Sequence, residues 1–165
     1  MGRSALRTEA RIVKIRLVAV GKIRERYIAE GVADFRKRLQ NYFSYDEVEV
    51  AASPGSDPGR AVRDEGKRML EALDPNDVVW LLERSGSEIS SEELAQRITA
   101  LADRGTRRLV LAIAGTYGAS DDLSARANFR WSLSRLTFLH EWTRAIVLEQ
   151  LYRAAKIARN EPYHH

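Results

Sequence analysis

Apolar residues fall in short runs that alternate with stretches of helical period. Lys14 to Val20 (Lys-Ile-Arg-Leu-Val-Ala-Val) has the density of a strand. The next segment sets Ile28, Val32, Phe35 and Leu39 on one face of a helix. Glu47 to Ala51 predicts a second strand, and Ser53 to Gly59 is a loop by its Pro, Gly and Asp content. A helix from about Ala61 to Leu73 follows, and Asp74-Pro75-Asn76-Asp77 is a turn. Val78 to Leu82 is uniformly apolar, as suits a central strand buried on both faces. Ser90 and Glu93 form a capping box for a helix that stops at Gly105, and Leu109 to Ala114 is the fourth strand. Strands alternating with helices imply an α/β fold with a mostly parallel sheet and helices on both faces.

Composition narrows the function classes. At 165 residues the chain suits one domain, enough to bury about 70% of its unfolded surface. Residues 1–12 are polar and basic and form an N-terminal extension outside that domain, which spans 13–165. No secretory core and no apolar run of ~20 residues is present, so a cytoplasmic protein without a membrane partner is expected. With no Cys, and with three His of which two are terminal, neither a disulfide framework nor a metal site is expected. The net charge of +4 favours an anionic partner. Arg outnumbers Lys roughly fourfold, and guanidinium is the better fork for phosphate.

Candidate chemistry gathers between Leu109 and His165. The fourth strand breaks into Gly115-Thr116-Tyr117-Gly118, where glycines let backbone approach a ligand but serve an ordinary turn equally well. A dinucleotide fold carries its glycine fingerprint after the first strand, where this chain has only Val20-Gly21-Lys22-Ile23-Arg24. A ligand crevice should therefore be built from the second half of the chain. Ser132 and Ser134 lack a nucleophile elbow, so they are expected to hydrogen-bond within a loop that clamps a small ligand. His140 shares a helix face with Arg144 and Leu148, which suits a packing role, and Glu149 and Arg153 have ion-pair spacing.

Taken together these segments resemble the ribosomal large-subunit pseudouridine-N3 methyltransferases of the SPOUT class, the RlmH type. The resemblance runs from about Lys14 through His164. It is carried by Leu17-Val18-Ala19-Val20-Gly21, the glycine turn, Ser132-Leu133-Ser134 with Thr137 and His140, Glu149-Gln150-Leu151-Tyr152-Arg153-Ala154, and Pro162-Tyr163-His164. It implies a deep trefoil knot in the C-terminal part, a homodimer, large-subunit rRNA in the ribosome as substrate and S-adenosyl-L-methionine as cofactor. Carried over by position, the cofactor would touch Leu82, Gly115 and the loop Leu133, Ser134, Arg135, Leu136, Thr137 and Phe138. Two positions depart from the pattern: Ala114 replaces the first of two adjacent glycines, and His165 replaces a basic residue.

N3 of pseudouridine is flanked by two carbonyls and must lose its proton before it attacks. Arg153 is the candidate for stabilising the resulting anion and His164 the candidate general base, with Tyr163 stacking on or hydrogen-bonding the base. Phosphate contact or pocket shaping by the same tail is an equal alternative. Other classes compatible with the resemblance are a non-catalytic ribosome-binding factor and a SPOUT methyltransferase acting on tRNA.

Overall fold

A computed structural model describes residues 13–163; the extension 1–12 and both His164 and His165 lie outside the described residues. The elements are β1 (Lys14–Val20), α1 (Arg26–Leu39), β2 (Ser44–Val50), α2 (Pro58–Glu71), β3 (Val78–Glu88), α3 (Ser91–Asp103), β4 (Arg108–Ile113), α4 (Asp121–Arg126), β5 (Phe129–Ser132) and α5 (His140–Ala158). The five strands form one sheet in the order β2-β1-β4-β3-β5, and every pairing between them is parallel.

Period-two alternation sorts the strand residues between two cores. Ile15, Leu17 and Ala19 of β1, with Leu109, Leu111 and Ile113 of β4, pack beneath α1, α3 and α5. Val18 and Val20, with Val110 and Ala112, face Met69 of α2 and Leu123 of α4. Helices therefore cover both faces, and this is why Leu17 to Val20, Val78 to Leu82 and Leu109 to Ile113 are apolar at consecutive rather than alternate positions.

Several boundaries differ from the sequence reading. Helix α2 begins at Pro58 rather than near Ala61, because Asp57 caps it by accepting from Gly59 N at 3.1 Å and Arg60 N at 3.3 Å, and Pro suits the first turn. Strand β2 starts at Ser44, and β3 continues past Leu82 to Glu88. Two elements, α4 and β5, occupy what the pattern left as loop. The Ser90–Glu93 capping box and the Gly105 stop are as expected, with Gly105 at φ 75°.

Asp77 shows how the edge of the sheet facing away from the C-terminal strand ends is fixed. Its buried carboxylate accepts two bonds from Arg108, at 2.9 and 2.7 Å, and one from Asp74 N at 2.7 Å. Burial by itself pushes this carboxyl up, but the Arg108 fork and the Asp74 amide outweigh it and hold it below the usual range. A carboxyl depressed on folding stabilises above its unfolded value near ~3.9, and that contribution is lost as pH falls through the folded value. Asp77→Asn is expected to cost about 2 kcal/mol at neutral pH. In denaturant titrations the gap between wild type and variant should narrow below about pH 4.

Candidate functional site

The C-terminal ends of β3, β4 and β5 open into a cleft of about 480 Å³, within the range of small-molecule sites. Leu82, Glu83, Arg84 and Ser85 come from β3; Ile113 and Ala114 lead from β4 into the turn Gly115 to Ala119. Trp131 with Leu133, Ser134, Leu136, Thr137 and Phe138 follows from β5, and His140 and Thr143 belong to the first turn of α5. Open parallel sheets place ligands at this end of their strands. The structure thus brings together Leu82, Gly115 and five of the six loop residues singled out in the sequence. The sixth, Arg135, lines a neighbouring cleft instead.

Each wall has a local cause. Gly118 N donates to Gly115 O at 3.0 Å, and Gly118 sits at φ 90°, which closes the turn tightly over the end of β4. Gly115 is required for another reason: a Cβ there would stand 2.5 Å from Glu65 Oε2 and 3.3 Å from Val20 Cγ1. A side chain at this position thus first meets the buried Glu65 of α2 and only secondarily affects the cleft. Gly115→Val is expected to displace the turn and abolish cofactor binding by calorimetry, with some loss of stability as well. Unchanged affinity would remove Gly115 from the site.

The loop after β5 holds its own shape. Ser132 Oγ donates to Ser134 O at 3.0 Å, and Ser134 Oγ accepts from Leu136 N at 3.1 Å. The two serines are structural hydrogen-bonders, as their sequence context suggested. The loop is also tied across the cleft, where Arg84 Nη1 donates to Thr137 Oγ1 at 3.0 Å.

Helix α5 is anchored by two buried charged residues whose roles the sequence did not reveal. Arg144, 3% exposed, donates through Nη2 to Val20 O at 2.8 Å and Gly21 O at 2.6 Å, and through Nη1 to Glu49 Oε1 at 3.1 Å. Glu141 accepts from the backbone amides of Arg24 and Glu25. The start of α5 is thereby fastened to the end of β1, and His140 is held as a cleft residue rather than in the packing role read for it. The only sequence signal was that Glu141 and Arg144 share a helix face.

Glu83 is a further residue that sequence reasoning missed. Its Oε2 is buried without a hydrogen bond and has Arg130 Nη1 at 3.2 Å as its charge partner. A carboxylate lining a largely apolar cleft suits a ligand that carries positive charge.

The tail residues form a separate cluster. Glu149 Oε1 accepts from Arg153 Nη2 at 3.0 Å and from Tyr163 Oη at 2.6 Å, and its Oε2 accepts from Gln150 Nε2 at 2.7 Å. The Arg153 guanidinium lies 3.7 Å from the centre of the Tyr163 ring. Burial and the Glu149 carboxylate hold the Tyr163 phenol above its ordinary value, so it keeps its proton at neutral pH and shares it with Glu149. Arg153 follows His140 by thirteen residues of continuous helix, about 20 Å. Neither Arg153 nor Tyr163 lines the cleft. His164 lies outside the described residues.

Among the described residues there is no group of three or more His, Cys, Asp or Glu able to hold a metal ion, and no helix long and apolar enough to cross a membrane.

A family model described as predicted SPOUT methyltransferase matches residues 13–164. The chain is 39% identical over 159 residues to the ribosomal RNA large subunit methyltransferase H of Desulfitobacterium hafniense, covering 93% of this chain and 99% of that one. Its identity to the protein of the same name from Stenotrophomonas maltophilia is 41% over 155 residues, covering 92% and 99%. Among solved structures, a probable methylase family protein from Haemophilus influenzae superposes with a TM-score of 0.54 at 13% identity, covering 90% of this chain and 67% of that one; this is a likeness of fold.

Proposed function

Because the chain belongs to the SPOUT methyltransferase family, we propose that it methylates N3 of a pseudouridine in large-subunit ribosomal RNA, with S-adenosyl-L-methionine as the methyl donor. The observation that carries the reading is the cleft at the ends of β3, β4 and β5. Its residues fit the cofactor: the volume is adequate, the walls are apolar enough for an adenine, and Glu83 Oε2, ion-paired with Arg130 but without a hydrogen bond, offers a buried acceptor. Leu82, Gly115 and the loop residues Leu133, Ser134, Leu136, Thr137 and Phe138 would hold it, largely through backbone and shape, within the deep knot that the family resemblance implies for the C-terminal part.

The bound cofactor supplies a methyl group on a sulfonium, open to in-line displacement without a metal. What the protein adds is alignment and management of the acceptor's proton. Arg153, held by Glu149, presents a fixed positive charge to the N3 anion and its flanking carbonyls. His164 is assigned as the base that takes the N3 proton, and Tyr163, whose one hydroxyl hydrogen goes to Glu149, would stack on the base. With the cofactor bound, transfer of its methyl group to N3 would leave a neutral thioether, so the one proton this chain's residues would have to manage is that of N3.

About 15 Å of helix separates Arg153 from Thr143, the last α5 residue in the cleft lining, so one chain does not bring the two together. A homodimer in which each tail serves the other subunit's cleft resolves this. Support for a second copy comes from the apolar surface at the cleft mouth: Leu136 is 70% exposed, Leu139 49% and Trp142 43%, and Tyr27 packs its ring 5.7 Å from Trp142. A monomer seldom leaves such a contiguous patch in water. So small an enzyme would recognise assembled ribosomes in the cytoplasm by shape rather than naked sequence.

The test is to incubate the protein with labelled cofactor and ribosomes, isolated subunits or free rRNA lacking the modification, and to map the product by mass spectrometry. Methyl on N3 of a large-subunit pseudouridine is the expected result. Cofactor binding without transfer to any of the three would overturn it, and a failure to bind cofactor would favour a non-catalytic ribosome-binding factor.

A further inference from the structure

A second cleft, about 650 Å³, adjoins the first and shares Arg84 and Ser85 with it. Its remaining walls are Gly86, Glu88 and Arg135. It exists because the β3–β5 ladder is interrupted: Leu82 and Ser87 both pair with Trp131, so the residues between them bulge from the sheet. The bulge turns Arg84 outward, and only one of its donors is engaged, by Thr137. On the opposite wall the exposed Arg135 guanidinium makes no hydrogen bond or ion pair among the described residues. Arg130, on the same sheet edge, is by contrast paired with Glu83. Two guanidinium groups and one carboxylate, Glu88, thus line this cleft beside the donor cleft.

We propose that Arg84 and Arg135 together hold one backbone phosphate of the RNA next to the acceptor nucleotide. The proposal rests on the function proposed above. An acceptor base that reaches into the donor cleft carries its phosphodiester along the rim, and this is the cationic part of that rim. Guanidinium presents paired donors that match phosphate oxygens, and contacts of this kind set register rather than read sequence. The loop 133–138 then has two jobs. Five of its residues line the donor cleft, and Arg135 lines the neighbouring one, for the RNA.

The test compares Arg135→Ala and the double variant Arg84→Gln/Arg135→Ala with wild type. Binding to unmodified ribosomes is measured across a salt series, and cofactor affinity by calorimetry. Arg135→Ala should weaken ribosome binding about tenfold while cofactor affinity is retained, which also shows that the variant is folded. The double variant should lower the slope of log affinity against log salt by about one, since the pair neutralises a single phosphate. Ribosome binding and slope equal to wild type in both variants would overturn the proposal. So would loss of cofactor affinity in step with ribosome binding in Arg135→Ala, because that would place its guanidinium in the cofactor site; this readout is taken from the single variant, since Arg84 also ties Thr137 at the donor cleft. If wild type binds ribosomes but transfers no methyl, the functional reading fails while the slope comparison still decides the phosphate site.

Discussion

Replacing Arg153 by Ala is expected to leave affinity for S-adenosyl-L-methionine within about tenfold, ~1.4 kcal/mol, while methyl transfer falls by about a hundredfold or more. The two effects separate because Arg153 sits about three helical turns beyond Thr143, where the cleft lining on α5 ends, and lines none of it. Its guanidinium is already oriented by Glu149 and stacked on Tyr163, so the charge is in place before substrate arrives. Preorganised charge of this sort acts on the transition state, where N3 carries its negative charge, and contributes little to ground-state cofactor binding. Removing the tail from Tyr163 onward should behave alike. Calorimetry and single-turnover transfer assays separate the two quantities, and equal losses in both would move Arg153 into the cofactor pocket.

Glu149 gives this prediction a control. It accepts from Arg153, Tyr163 and Gln150 at once, and Gln150 in turn accepts from Ser91 Oγ at 2.7 Å, which ties the cluster to the start of α3. Sequence spacing alone made Glu149–Arg153 an ordinary surface pair worth a few tenths of a kcal/mol. The structure adds the shared acceptor and the ring beneath the guanidinium, which convert a flexible pair into a fixed one.

How much was legible in the sequence follows from the length scale of each signal. β1, β3 and β4 were readable because a strand buried on both faces is a continuous apolar run, and α3 because Ser90 and Glu93 cap it within four residues. β5 and α4 were not readable: Phe129-Arg130-Trp131-Ser132 is too short to show a period, and its strand character comes from pairing with β3, fifty residues earlier. The same limit applied to the site. Leu82, Gly115 and the Leu133 to Phe138 loop could be transferred by resemblance, but the direction of a single Cβ could not. That the space beside Gly115 belongs to Glu65, and that Arg135 lines the neighbouring cleft, are facts of tertiary structure. Arg144 is the clearest case, since a buried arginine bonded to two carbonyls of β1 has the same local sequence as one on a solvated helix face.

Co-expression of a Gly115→Val chain with a chain truncated before Tyr163 should recover roughly a quarter of wild-type activity, although each variant alone is inactive. The first chain has a damaged cleft and an intact tail; the second has the reverse. If each active site combines the cleft of one subunit with the tail of the other, a mixed dimer contains one complete site out of two, and random pairing makes about half the dimers mixed. Arg153 lies on α5 with Tyr163, from the segment after that helix, packed against it, and the cleft lining on α5 ends at Thr143, about 15 Å away. The helix is continuous from His140 to Ala158, so no hinge within it can fold the tail back onto its own cleft. A two-fold axis that runs two copies of α5 past each other in opposite directions would instead set each tail against the other subunit's His140 end, where the apolar residues Leu136, Leu139 and Trp142 are exposed. Purifying the mixed species with two different affinity tags and assaying it directly removes the dependence on random pairing. An inactive mixed dimer that still binds cofactor in its intact cleft would show that cleft and tail act within one chain.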